Sequence, residues 1–510
     1  MVRNNSPYVF LVTVLLVVIA SCRKDFEYAP SSGNLTFSKD TVYLDTVFAD
    51  LGSSTYTLKV YNPTRDDVVI PTITLGRGTE SFYRLNVDGV AGKQFSNVPI
   101  YARDSLFILI ETTVSVDDER ITELLYTDDL LFDSPPYQQS IPLVTLAKDA
   151  IFLYADSDKP QESLVLKTDV NGTELKVNAF ELKEEQLLFT NEKPYVMYGY
   201  GKVADGKKLT IEPGARIYFH ENSGILIQEG GQISAQGELS QDLETLEGEI
   251  IFEGNRLEPQ FADVHGQWGG IWISDGSMEN ILNHCTIKNA NIGLYVGEKH
   301  ENSNSSLIIT NSQIYNSALF NLWAENATVK GENLVLGNSG LSSIRISNGG
   351  DYAFIHSTIA NYWTKAFRAS PALSISNENS DKETATSTIL RANFINCVID
   401  GNNQTELFLN PAENGVFNFS FQNCLIKHPG NNGMVLYDFE NNPNYSNVLL
   451  NAFPDYYDSR NHDFRIGLAS ELLKIGNGTG ATSVPVDLLG IPRPETPELG
   501  AYQAQGKAEE

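Results

Sequence analysis

One passage recurs through the second half of this 510-residue chain. It reads "CTIKNANIGLYV" from Cys285, "SQIYNSALFNLWA" from Ser312, "LVLGNSGLSSIRI" from Leu334 and "STIANYWTKAFRA" from Ser357. "CVIDG" at Cys397 and "CLIKH" at Cys424 continue it. Aligned on Ile287, Ile314, Leu336, Ile359, Ile399 and Ile426, the copies lie 27, 22, 23, 40 and 27 residues apart. A period of that length is one coil of a solenoid. A single coil cannot bury its own apolar residues; stacked coils can, through parallel strands about 4.8 Å apart. The longest interval contains "NENSDKETATS", a polar insert that reads as a loop pushed out of a coil.

The alignment predicts straight columns. Cys285, Ser312, Leu334, Ser357, Cys397 and Cys424 form one inward column. Two residues past each aligned apolar position stand Asn289, Asn316, Asn338 and Asn361, then Gly401 and His428. Asn tolerates the left-handed backbone region and Gly enters it freely, so this column predicts a corner with an Asn ladder. A second strand follows, with Leu294 and Val296, Leu322 and Ala324, Ile344 and Ile346, Phe367 and Ala369, Leu407 and Leu409, and Met434 and Leu436 inward. Alternation then turns Tyr295, Trp323, Arg345, Arg368, Phe408 and Val435 outward, with Tyr437 beside the last. Aromatic faces stack on sugar rings and Arg pairs with carboxylates, so the stripe is a candidate track for an extended glycan. The competing expectation is that the insert, the preceding segment or the N-terminal domain covers it.

Residues 34–147 differ in texture. "YTLKVYNP", "VVIPTITL", "FYRLNV", "LFILIETTV" and "SIPLVTL" alternate with period two between turn clusters, which predicts an antiparallel β-sandwich. This succession resembles the immunoglobulin-like domains placed beside repeat domains in bacterial surface proteins. From "KKLTIEPGARIYFHENSGILIQEGGQISAQGE" onward, the text resembles the opening coils of bacterial right-handed parallel β-helix proteins of the pectate-lyase-like kind. "DLLGIPRPETPELGAYQ", Asp487 to Gln503, resembles the closing formula of many of them. The expected fold is therefore all-β: an immunoglobulin-like sandwich (34–147), a connector (148–200), a right-handed parallel β-helix (201–503) and a short tail (504–510).

The N-terminus carries an apolar run from Val9 to Ile19 that ends in "VIASC". The run is too short to span a bilayer and the right length for a signal-peptide core. It resembles a bacterial lipoprotein signal (1–21), which implies a lipid on Cys22 and a tether over 22–33. Arg23 stands where an inner-membrane retention Asp would, which points to the outer membrane; "CRKDFE" resembles the surface-export tags of Bacteroidota lipoproteins. A formal charge of -28 excludes general nucleic-acid binding, which needs a basic footprint.

Catalytic signals are weak. The paired-Asp and Gly-His-Gly signatures of β-helix hydrolases do not occur. If the chain were a polysaccharide lyase acting on a uronic-acid polymer, Arg345 or Arg368 would be the base and calcium a cofactor; Glu325 and Asp400 are the nearest acids by register. His220, His265, His284, His300, His356, His428 and His462 have no zinc-site spacing, and no metal or cofactor site is expected. Three readings follow: a non-catalytic envelope lipoprotein that binds a glycan, a lyase, or a scaffold or adhesin with a protein partner.

Overall fold

The computed structural model describes residues 28–506 apart from 117–122, 158–159, 169–171, 299–304, 379–386 and 432. Cys22, His300 and most of the polar insert lie outside the described residues. The chain divides into two compact units between Asp149 and Ala150.

In the first unit a six-stranded and a five-stranded sheet share one core. Leu58 and Val60 enter it from one sheet, Ile70 and Ile73 from the other, each every second or third residue along its strand. The pairing is mixed rather than wholly antiparallel. Ala29–Pro30 runs parallel to Val68–Leu75, and Val42–Phe48 parallel to Gln139–Lys148.

The second unit is a solenoid with three faces. A 19-stranded parallel sheet supplies two of them and a ten-stranded sheet the third. On the first face Ile287 pairs with Ile314, Ile314 with Leu336, Leu336 with Ile359, Ile359 with Ile399 and Ile399 with Ile426. Every aligned position of the repeat is thus one column. The column continues upstream through Phe252, Ile217 and Tyr195 to Ile151. Residues 148–200, expected to be a connector, therefore include the first strands of the solenoid. That misreading has a physical cause: Ile151–Leu153, Leu188–Phe189 and Tyr195–Met197 are two or three residues long, too short to display a period.

The interior is apolar and stacked. Phe354, Phe394, Phe421 and Tyr445 form an aromatic pile on the second face, with centroids 5.3, 4.9 and 5.7 Å apart. Cys285, Cys397 and Cys424 are free and buried on the inward column, and burial pushes the thiols of Cys285 and Cys424 up. They are small apolar fillers there.

The expected Asn corner is only partly a ladder. Asn289, Asn316 and Asn338 have φ of 64°, 56° and 50°, and Asn316 Nδ2 donates to Asn289 Oδ1 at 2.7 Å. Asn338 turns instead to Ser459, and Asn361 stays in a strand and bonds the Ser339 backbone. Gly401 does not occupy the left-handed region either. It is small because a Cβ would stand 2.2 Å from Glu406 Oε1. A second corner column is more regular: His284, Asn311, Asn333, His356, Asn396 and Asn423, all with φ between 45° and 55°. Asn311 donates to Asn283 at 2.9 Å, and Asn333 to Asn311 at 3.0 Å. His284 and His356 belong to this corner, which gives both histidines a backbone reason.

Candidate functional site

The outward stripe of the third face is continuous in register. Leu226 pairs with Trp272, Trp272 with Tyr295, Tyr295 with Trp323 and Trp323 with Arg345. Arg345 pairs with Ser374, and Ser374 with Phe408. Parallel pairing stacks like positions at each rung, so the stripe follows from alternation alone.

A hairpin roofs its upstream half. The strands Glu162–Thr168 and Glu174–Glu181 are antiparallel, and Leu164, Leu166 and Val177 pack over Leu226, Trp272 and Tyr295. Trp272 and Tyr295 stack at 4.3 Å and are 3% and 6% exposed. Tyr295 is therefore not an open platform, contrary to expectation. Its hydroxyl donates to Glu325 at 2.9 Å. Lys167, near the end of the hairpin's first strand, forms an ion pair with Glu325 and lies 5.0 Å above the Trp323 ring. Asn348 also donates to Glu325, so that carboxylate is fully engaged.

Past the hairpin the face opens into a cleft of about 480 Å³ between Lys167, Trp323, Arg345, Ser374 and Phe408. The Arg345 guanidinium lies 5.3 Å from the rings of both Phe320 and Trp323. It has no hydrogen-bond partner among the described residues. Burial lowers its pKa, with Glu325 acting in the opposite direction. Trp323 Nε1 donates to Ser347 Oγ at 3.0 Å, which fixes the indole that supports the guanidinium. Phe408 is 46% exposed and forms the far wall.

Two expected members of the stripe are elsewhere. Arg368 does not lie on a strand: the corner after Asn361 is long, and the outward residue of that coil is Ser374 on Leu373–Ser376. Phe367, expected inward, is 93% exposed. "WTKAFRA" imitates the alternation of a strand, and nothing local distinguishes it. Arg368 is instead buried in a two-pronged pair with Glu406, at 2.6 and 2.9 Å. Its guanidinium also donates to the Asn361 carbonyl and the Asn402 amide oxygen, both at 2.7 Å. Burial raises the Glu406 pKa against the pull of Arg368. Arg368 is thus a corner clamp and cannot reach a ligand as a lyase base.

Tyr437 lies on a short 3-10 turn, not on a strand. It is buried against His428 at 4.6 Å, and its hydroxyl accepts the Leu409 N–H at 2.8 Å, which caps the sheet end. Met434, expected inward, is 59% exposed beside Val435.

Asp400 faces out from the first face, away from Arg345. There the C-terminal segment covers the sheet: Phe464, Leu488, Ala501 and Tyr502 pack on Val335 and Ala360. Asp400 accepts from Tyr362 at 2.5 Å, and burial raises its pKa. Arg493 donates to Asn333 at 2.7 Å, and Asp487 accepts the Gln503 N–H at 2.7 Å, so the closing formula clamps this face. Trp268 is fully buried and stacks on Phe219 at 4.1 Å. No group of three or more His, Cys, Asp or Glu able to hold a metal occurs among the described residues.

Lys167 and Asn348 escaped the sequence reading. The signal for Lys167 is "ESLVLK" and "TELKV" flanking Asn171-Gly172, a hairpin pattern that puts alternate leucines on one side.

No family profile and no curated protein matches the chain. Among solved structures it is similar to the catalytic unit of a GH87 α-1,3-glucanase from Streptomyces thermodiastaticus, at 9% identity over 72% of this chain and 79% of that one, with a TM-score of 0.26. It is similar to the Agl-KA catalytic domain at 12% identity, over 79% and 85%, with a TM-score of 0.22. It is also similar to the major pilin subunit of Bacillus cereus at 13% identity, over 30% of this chain and 54% of that one, with a TM-score of 0.17; the chain spans about half of that subunit. Overlap this slight bears on neither the site nor a reaction.

Proposed function

We propose that the chain is a lipid-anchored protein of the outer membrane, without catalysis of its own, whose solenoid binds a glycan at the open half of the third face. On this reading the coils wind right-handed, as parallel crossovers do. The N-terminal unit is then an immunoglobulin-like spacer, and "VIASC" supplies Cys22 for the lipid.

The observation that carries the binding reading is the unpartnered Arg345 guanidinium, held over Trp323 at the floor of a cleft walled by Phe408. Its donors face the cleft and no described side chain takes them, so a polar ligand can. The lyase reading retains one supporting fact, the lowered pKa of Arg345. Against it, Glu325 is already bound by Lys167, Tyr295 and Asn348.

A glycan array with a parallel assay for unsaturated products separates the readings. Binding is expected without a rise in product absorbance. Trp323→Ala and Arg345→Ala should each weaken it about tenfold or more, the first by removing the support of the guanidinium. Unchanged binding in both variants removes the cleft as the site. Product formation would replace binding with the lyase, and no binding at all would leave the scaffold.

A further inference from the structure

The cleft is asymmetric in charge and closed at one end. Two cations and one well-held carboxylate surround its floor. Lys167 and Glu325 are paired, so the charge left uncompensated there is that of Arg345. Glu378 lies on the exposed rim. A ligand that neutralises the floor carries one negative charge, and a planar carboxylate matches the guanidinium fork.

The stripe also limits length. Upstream of Trp323 the hairpin crosses it, with Lys167 above the Trp323 ring and Leu164 and Leu166 in the layer over Trp272 and Tyr295; a separate cleft of about 460 Å³ borders the hairpin beyond Lys167. Downstream the sheet ends at Leu407–Asn410, where Tyr437 takes the Leu409 N–H. The open rungs are Trp323, Arg345, Ser374 and Phe408. At about 4.8 Å per rung they span roughly 14 Å. Ser374 is the one small residue among them and leaves a hollow between the guanidinium and the Phe408 ring.

We infer that this site takes the end of a glycan chain bearing a single carboxylate, seated on Arg345, with the hairpin as the end-stop. The inference rests on the glycan reading above. It replaces the long track expected from the sequence with a short, terminated one. The carboxylate completes the hydrogen bonding of Arg345, the following ring lies over Ser374, and Phe408 stacks against its far side.

Calorimetric titration of the full chain tests this with four probes: a uronate trisaccharide in which only the terminal sugar carries a carboxylate, its carboxyl-reduced neutral counterpart, a counterpart with one sulfate in place of that carboxylate, and a hexasaccharide with the same single terminal uronate. The uronate trisaccharide should bind at least tenfold tighter than the neutral one, and Arg345→Gln should abolish that preference. Arg345→Lys, which keeps the charge without the fork, should retain part of it. The hexasaccharide should gain no more than about twofold per chain, because the hairpin admits one end only. Equal binding of neutral and uronate trisaccharides, or a preference that survives Arg345→Gln, overturns the carboxylate assignment and leaves glycan binding standing. Tighter binding of the sulfate probe overturns the choice of carboxylate. Affinity that climbs with length overturns the end-stop. If no saccharide binds, the glycan reading fails and this inference with it. Unaltered thermal melting of both Arg345 variants confirms that the change is local.

Discussion

The upstream and downstream halves of the third face share one strand geometry and one stripe, yet they differ in what lies above them. Trp272 and Tyr295 are sealed under Leu164 and Leu166. Trp323, Arg345 and Phe408, farther along the stripe, border a cleft that no described residue closes. Aromatic residues on the outside of a sheet therefore have two uses in one molecule. Under a roof they are core, contributing through buried apolar area. Without one they are a surface that meets a ligand. The dividing point is Lys167, which pairs with Glu325 at the boundary.

The largest expected effect tests whether the open half owes its shape to a buried clamp. Glu406→Ala strands Arg368 in a site where both side chains are at most 1% exposed. Loss of about 3–5 kcal/mol is expected in urea unfolding of the solenoid, because an uncompensated buried charge remains. A loss under about 1 kcal/mol would show that the corner tolerates the charge. Replacing both partners, Arg368→Met with Glu406→Leu, should be much milder.

The second effect sharpens the contrast with the first face, where the C-terminal segment is the roof. His356 lies beneath it, with Asn396 donating to its Nε2 at 2.9 Å and Gly500 O near Nδ1 at 3.3 Å. Burial, then the charge of Arg493, draws its pKa down to about 3. The unfolded chain protonates this group below about pH 6.5, whereas the folded chain resists until near pH 3. Its contribution is thus complete above pH 6.5 and lost progressively as pH falls. Buried carboxylates such as Asp400 and Glu406, with raised pKa values, act in the opposite direction. The difference between the parent and His356→Gln isolates the histidine. From pH 7 to 4.5 the parent should lose about 2–3 kcal/mol more than the variant. Parallel stability curves would contradict the buried neutral imidazole.

The smallest effect acts on the comparison itself. Leu164→Ser with Leu166→Ser should cost about 1–2 kcal/mol and raise acrylamide quenching of tryptophan fluorescence, as Trp272 becomes wet. Phe408→Ser, on the open half, should stay within about 0.5 kcal/mol. Equal costs for the two changes would erase the distinction between roofed and open aromatics.

The repeat was legible because register is periodic. Six apolar positions up to 40 residues apart fall in one column, since each is fixed by the same inward direction. The second corner was equally readable, one residue before the cysteine–serine column, but it requires treating His284 and His356 as equivalents of Asn. Arg368 and Tyr437 were misplaced where the period breaks. A corner with strand-like alternation and a terminal turn carry the same apolar text as a strand, and only pairing separates them.

Wherever the period holds, the amino-acid order alone determined which residues face the interior of the coils, because alternation and a fixed period need no partner to be stated. It also determined that Tyr295, Trp323, Arg345 and Phe408 share the outer surface of one sheet. Only the tertiary structure decided which of them meets solvent. A hairpin more than a hundred residues upstream of Tyr295 folds over half the stripe, and coverage of that kind depends on long-range packing that no local pattern encodes.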